Sequence, residues 1–265
     1  MFSEELLGSL RDKAKTLRRH VVTSMGVGNF GHLGGSFSSA DLVAALYFHK
    51  MRRGVDRFLL SKGHAAVVQY AALVEIGLIP EVELKKMKTL GSMLQGHPDV
   101  LRMPGIEAGT GSLGQGLSIG LGMALGLRLD DSDANVYVLC GDGELAEGQN
   151  WEAAMAAANF KADRLVAIVD RNRLMAQGAI EDRFSIGELV EKWEAFGWES
   201  IEIDGHNMSE ILSALDWVDG MKSRPTVIVA NTVKGKGFSL AENNPAFHNT
   251  ALTEEQYQQA LAELA

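Results

Sequence analysis

Asp142 stands between two glycines, in Gly141-Asp142-Gly143, and Asn172 follows it by thirty residues, in Asp170-Arg171-Asn172. An aspartate offers a hard anionic oxygen and an asparagine a neutral carbonyl oxygen. Together they suit Mg2+ or Ca2+, with phosphate oxygens completing the coordination shell. The flanking glycines let backbone N–H groups approach a phosphate. Asp-Gly is also a common turn dipeptide, so the triplet alone carries little weight. Its context adds to it. Val136–Cys140 (VYVLC) is a short apolar run that ends at the triplet, and Leu165–Val169 (LVAIV) is another that ends at Asp170. About thirty residues is the length of a strand–helix–strand unit. Such a unit brings both side chains to one edge of a parallel sheet.

Four histidines lie beside glycines or in polar, turn-like stretches. They are His32 in GHLGGS, His64 in SKGHA, His97 in QGHP and His248 within Asn243–Asn249. An imidazole can donate to phosphate oxygens or move protons near neutral pH. Each could equally be a surface or satisfied buried histidine. Zinc is disfavoured, because no histidine pair has ligand spacing and Cys140 is the single cysteine. A nucleotide phosphotransferase is disfavoured by the absence of GxxxxGK[ST].

The elements that must position these groups alternate along the chain. Helical periodicity appears over 4–27, 40–50, 65–76, 81–90, 114–129, 147–160, 186–196 and 209–218, with Ser185 as N-cap of the seventh. Strand patterns cover 136–140, 165–169, 199–203 and 225–231. Continuous apolar strands separated by helices predict an α/β fold: three αβα layers around a mostly parallel, doubly wound sheet. Ligands in such sheets sit beyond the carboxyl ends of the strands, here after Cys140, Val169 and Ala230. The chain is read as one domain over 1–265. Its net charge of −9 argues against a nucleic-acid partner. Residues 108–127 carry no charge, but seven of the twenty are glycine, which favours a glycine loop and buried helix over a membrane span. One cysteine permits no intrachain disulfide and suits a reducing cytoplasm.

The joint order GHLGG, SKGHA, QGHP, GTGSLGQGLSIG, GDGELAEG, DRN, DGHN and KGKG resembles the transketolase family across almost the whole chain. The resemblance is to the N-terminal, pyrophosphate-binding half, standing as a separate chain. It implies the thiamine-diphosphate-binding fold, with thiamine diphosphate and Mg2+ (or Ca2+ or Mn2+) as cofactors. By motif, Asp142, Asn172 and the Leu174 carbonyl would hold the metal. His64, Gly141, Gly143 and His248 would bind the diphosphate, and Gly111, Ser112 and Leu113 would lie against the cofactor rings. His32, His97 and His248 would be catalytic, with His32 and His97 facing the sugar phosphate. Glu147 would link two active sites across a dimer. Plainer roles compete: Glu147 favouring a helix N-terminus, Leu174 packing in the core, Lys62 lying on the surface. The sequence departs from the family pattern near Met175 and Gln177, in the short Met51–Arg57 segment, and in Glu242–Phe247.

The resemblance further implies a partner chain carrying the pyrimidine-binding and C-terminal domains, an α2β2 assembly, and inactivity of this chain alone. The GxxxG spacings Gly116/Gly120 and Gly122/Gly126 suggest a partner-facing helix, or close packing within the chain. The implied activity is transfer of a two-carbon ketol unit from a ketose phosphate to an aldose. Alternatives are an unusual donor such as a sulfosugar or branched sugar phosphate, another thiamine diphosphate enzyme, and a non-catalytic scaffold.

Overall fold

The computed structural model describes residues 2–265. Five strands, β1 (Arg57–Leu60), β2 (Val136–Gly141), β3 (Leu165–Arg171), β4 (Glu199–Asp204) and β5 (Thr226–Asn231), form one sheet. Their order is β1-β2-β3-β5-β4 and every pairing is parallel. Register sets Leu60 beside Leu139, and Gly141 beside Asp170, so the strands end nearly level.

The main helices are α1 (Glu4–Met25), α2 (Leu33–Ser38), α3 (Ala40–Ala45), α4 (Ala66–Glu75), α5 (Gly116–Leu129), α6 (Gly148–Asn159), α7 (Leu189–Ala195), α8 (Met208–Gly220) and α9 (Glu254–Glu263). Side chains alternate across a strand, so the sheet divides the core into two layers. Tyr137, Leu139, Val166, Ile168 and Ile228 pack with Leu17, Val21, Val43, Ala71 and Leu212 of α1, α3, α4 and α8. Val136, Val138, Cys140, Ala167 and Val229 pack with Leu117, Leu121, Ala154 and Trp193 of α5, α6 and α7. This is the three-layer αβα arrangement. Cys140 is wholly buried, and burial pushes its thiol well up. Among the described residues, no helix is long and apolar enough to cross a membrane.

The structure departs from the sequence reading at several points. Strand β1 had no counterpart there: only three apolar residues, Phe58–Leu60, follow a charged stretch, and its form comes from pairing with β2. The segment read as helix 81–90 is a short 3-10 turn, Glu81–Lys86. The helix read from 186 begins at Leu189, with Glu188 at the N-cap position but making no side-chain cap bond, because Gly187 takes φ +65, a left-handed conformation outside a helix. Ser185 Oγ instead accepts from Gly187 N at 3.4 Å. In α5 the glycines divide. A Cβ on Gly120 would lie 2.5 Å from Val138 Cγ2, so this glycine lets the helix lie against β2. Gly122 and Gly126 face open space, so only they belong to an outer face.

Candidate functional site

The loops at the carboxyl ends of β1, β2, β3 and β5 enclose a cavity of about 180 Å³. Lys62 and His64 come from the β1 loop, Gly141, Asp142, Gly143 and Glu144 from β2, Asn172 and Leu174 from β3, and Lys234 from β5. Gly35 of α2, Leu113 and His248 line it from more distant segments, and Met175 and Ala176 follow Leu174. The thirty-residue spacing therefore acts as expected, bringing Asp142 and Asn172 to one edge.

His32, His64 and His248 form a triangle, with ring centroids 5.1, 5.3 and 5.4 Å apart. Burial, with Lys88, His97 and Lys234 nearby, pushes His32 down to about 4. Burial and Lys234 push His248 to about 4, and burial and Lys62 push His64 to about 2. The imidazoles are thus neutral at pH 7. Lys234 Nζ donates to His248 Nδ1 at 2.8 Å and to the Leu174 carbonyl at 2.6 Å. His248 consequently carries its proton on Nε2, free to donate. Burial lowers Lys234 to about 8, which leaves it mostly charged at neutral pH.

Two buried carboxylates knit the rim, and sequence reasoning singled out neither. Asp170 receives Lys62 Nζ, Ser38 Oγ at 2.6 Å, Asn172 Nδ2 at 3.1 Å and Thr232 Oγ1. Burial opposes its charge, but Lys62 and these donors outweigh burial and hold its carboxyl below the ordinary range. Lys62 also donates to the Gly35 carbonyl at 2.7 Å and is 1% exposed, so the surface reading of this lysine is corrected. Glu144 accepts from Ser61 Oγ, from Gly114 N at 2.9 Å and from Gly141 N at 3.0 Å, tying three loops together. Burial raises its carboxyl. The available signals were position alone: Asp170 ends an apolar strand two residues before Asn172, and Glu144 directly follows the glycine-flanked aspartate. Lys234, within KGKG, carried no assigned role, and neither did Lys88, whose Nζ reaches Phe30 O at 2.7 Å.

The remaining predicted residues lie around the cavity rather than in it. His97 packs on Gly111, where an added Cβ would lie 2.5 Å from the His97 ring. Ser112 is exposed. Glu147 is also exposed, outside the cavity at the head of α6, because the 3-10 turn Gly143–Ala146 carries the chain outward. It makes no side-chain cap bond there.

The oxygen donors fit a bound cation. Asp142 accepts only backbone N–H groups, from Gly143 at 2.8 Å and from Arg173. Burial and neighbouring Asp170 push it up to about 6. Lys234 nearby offsets only part of this, and a buried acid with no cationic side chain bonded to it is a place where positive charge is stabilised. The Leu174 carbonyl already serves a cation, the Lys234 ammonium. Among the described residues no three His, Cys, Asp or Glu cluster as a metal cage.

Residues 10–264 match the family described as transketolase, thiamine diphosphate binding domain. The chain belongs to the transketolase family. It is 41% identical to the 6-deoxy-6-sulfo-D-fructose transketolase subunit SqwG of Clostridium sp. strain MSTE9, covering 96% of each chain. It is 39% identical to one of the subunits of the apulose-4-phosphate transketolase of Phocaeicola vulgatus, covering 94% of this chain and 91% of that one. A solved transketolase from Pichia stipitis superposes with TM-score 0.89 at 30% identity. That match covers 97% of this chain but 41% of the Pichia stipitis chain. The parallel sheet is thus that of a transketolase thiamine diphosphate binding domain.

Proposed function

We propose that this chain is the diphosphate-anchoring half of a split transketolase, active with a second chain that carries the pyrimidine-binding and C-terminal domains, as an α2β2 assembly in the cytoplasm. The observation that carries this reading is the cavity itself. A buried aspartate with no cationic side chain bonded to it and a buried ammonium line it together with neutral His64 and His248. A metal diphosphate brings both missing charges together.

In this reading residues 1–265 form one pyrophosphate-binding domain. Asp142, Asn172 and the Leu174 carbonyl hold Mg2+, with Ca2+ or Mn2+ as substitutes. His64 and the Nε2–H of His248 would hold diphosphate oxygens, with Lys234 supplying charge; Gly141 and Gly143, whose N–H groups are given to Glu144 and Asp142, would let the backbone approach the phosphates closely. Gly111, Ser112 and Leu113 lie along the cofactor rings. Thiamine diphosphate, when bound, supplies carbanion chemistry that breaks and remakes a bond beside a ketone. The protein's part is proton management: neutral His32, together with His97, would accept and return protons at sugar hydroxyl and carbonyl oxygens. Exposed Glu147 is available to a neighbouring chain.

The two relatives named above act, by their names, on 6-deoxy-6-sulfo-D-fructose and on apulose-4-phosphate. The donor panel for this chain therefore includes both, beside common ketose phosphates. Native mass spectrometry of the chain purified from its own host tests the proposal. A complex with a second chain, thiamine diphosphate and a divalent metal is expected. A cofactor-free homo-oligomer would favour a scaffold.

A further inference from the structure

The DGHN segment, Asp204–Asn207, closes β4 at the edge of the sheet and contributes nothing to the cavity lining. Gly205 N donates to Asn231 O at 2.7 Å. A Cβ on Gly205 would lie 2.5 Å from Thr232 Cγ2 and 3.0 Å from Asn231 O, so the β4 loop rests directly on the β5 loop. The next residue, His206, bridges two partners. Its Nδ1 lies 2.8 Å from Asp41 Oδ2, and its Nε2 lies 2.8 Å from Val233 N.

A backbone N–H can only donate, so Nε2 is the bare nitrogen and Nδ1 carries the proton, given to Asp41. Asp41, buried on α3, is in turn paired with the Arg18 guanidinium of α1. Arg18 is fixed by the Phe37 carbonyl, at 3.2 Å from Nε and 3.0 Å from Nη2. The column therefore runs from two helices through one imidazole to a single backbone amide. That amide lies between Thr232, which binds Asp170, and Lys234, which reaches the Leu174 carbonyl and His248.

We propose that His206 is a positioning residue for the diphosphate site: as the Nδ1–H tautomer, braced by Asp41 and Arg18, it pins Val233 and so presents Lys234 to the cofactor. This rests on reading the cavity as a thiamine diphosphate site. His206 acts on the lining only through this backbone grip. The bond is a positional one, because a free β5 loop could swing Lys234 away from the Leu174 carbonyl.

Three measurements test it. The first is the 15N spectrum of the full chain labelled at histidine, with His206→Phe used for assignment. A protonated Nδ1 and bare Nε2 are expected in the unmutated protein; the opposite tautomer overturns the proposal. The second is hydrogen exchange over residues 230–236 of the cofactor-free chain. His206→Phe is expected to speed it about fivefold to tenfold, the effect of one net hydrogen bond; unchanged exchange overturns the proposal. The third is affinity for thiamine diphosphate with Mg2+ in the complex with its partner chain, read by tryptophan fluorescence. It is expected to fall by a similar factor. A wild type that binds while the variant binds equally well overturns the positioning role alone. A wild type that binds none overturns the cofactor reading and the proposal with it.

Discussion

Asp56 and Asp142 are buried aspartates at opposite ends of one parallel sheet, the first just before β1 and the second just after β2. Asp56 accepts from Arg52 N at 2.7 Å, Arg52 Nη2 at 2.9 Å and Asn135 N at 2.8 Å. Burial opposes its charge, but Arg52 and these donors outweigh it, and the carboxyl is held below its ordinary range. Asp142 has backbone donors and no guanidinium, and it rises to about 6. The same strands thus end in two kinds of electrostatics. At the amino ends the chain satisfies its own charges. At the carboxyl ends it leaves an acid with no cationic side chain bonded to it, and neutral imidazoles beside a buried ammonium.

The contrast can be broken most sharply at Asp142. Asp142→Ala should weaken Mg2+-dependent thiamine diphosphate binding by more than about a hundredfold, since changes to groups behind metal ligands alone cost about 10–100-fold. Asp56→Asn should leave that affinity within about twofold, because no charge at that end faces the cofactor. Fluorescence titration of both variants, with melting curves to verify folding, decides the matter; equal losses would erase the distinction between the ends.

Next in size is the buried pair at the site. Lys62→Met strands Asp170 without its cation and should cost about 3–5 kcal/mol in urea unfolding of the cofactor-free chain. A loss below about 1 kcal/mol would mean that Ser38, Asn172 and Thr232 suffice to hold the carboxylate.

A pH series probes the imidazoles. Unfolded histidines take up protons below about 6.5, whereas folded His64 resists until about 2 and folded His32 and His248 until about 4. The unfolded state then binds more protons, so stability is fully present above about 6.5 and falls as pH drops below it. His64 contributes about 1.4 kcal/mol per pH unit over that window. His32 and His248 contribute less, because water reaches them. His64→Gln should flatten the slope by its own share; an unaltered slope would place the acid sensitivity elsewhere.

The smallest effect is expected at the amino ends. Arg52→Met should cost about 1–2 kcal/mol, since Arg52 is half exposed and water can replace part of its bond to Asp56. If its cost matches that of Lys62→Met, burial does not separate the two ends.

The sequence made the Asp142–Asn172 pair legible because each closes an apolar strand, and strand ends in a parallel sheet converge without further information. The histidine triangle was legible only as residue types beside glycines; its assembly depends on α2 and the segment around His248 folding back over the β1 loop. Strand β1 escaped notice because three apolar residues have no resolvable period. Asp170 and Glu144 escaped because no local pattern announces that a carboxylate is buried; their donors arrive from positions as far off as Ser38 and Thr232. Lys62 escaped for the converse reason, since a lysine beside a serine and a glycine reads as solvent-facing until Asp170 is set opposite it.

Cys140 gives the chain an internal clock. It is the sole thiol, wholly enclosed on β2 one residue from the cavity lining, and burial keeps it protonated. Alkylating reagents attack only the thiolate, so modification must await a breathing event that pulls β2 away from α5 and α6. The labelling half-life therefore times how often the central layer parts, and its lengthening on addition of metal diphosphate would measure how far the cofactor closes the domain that grips it.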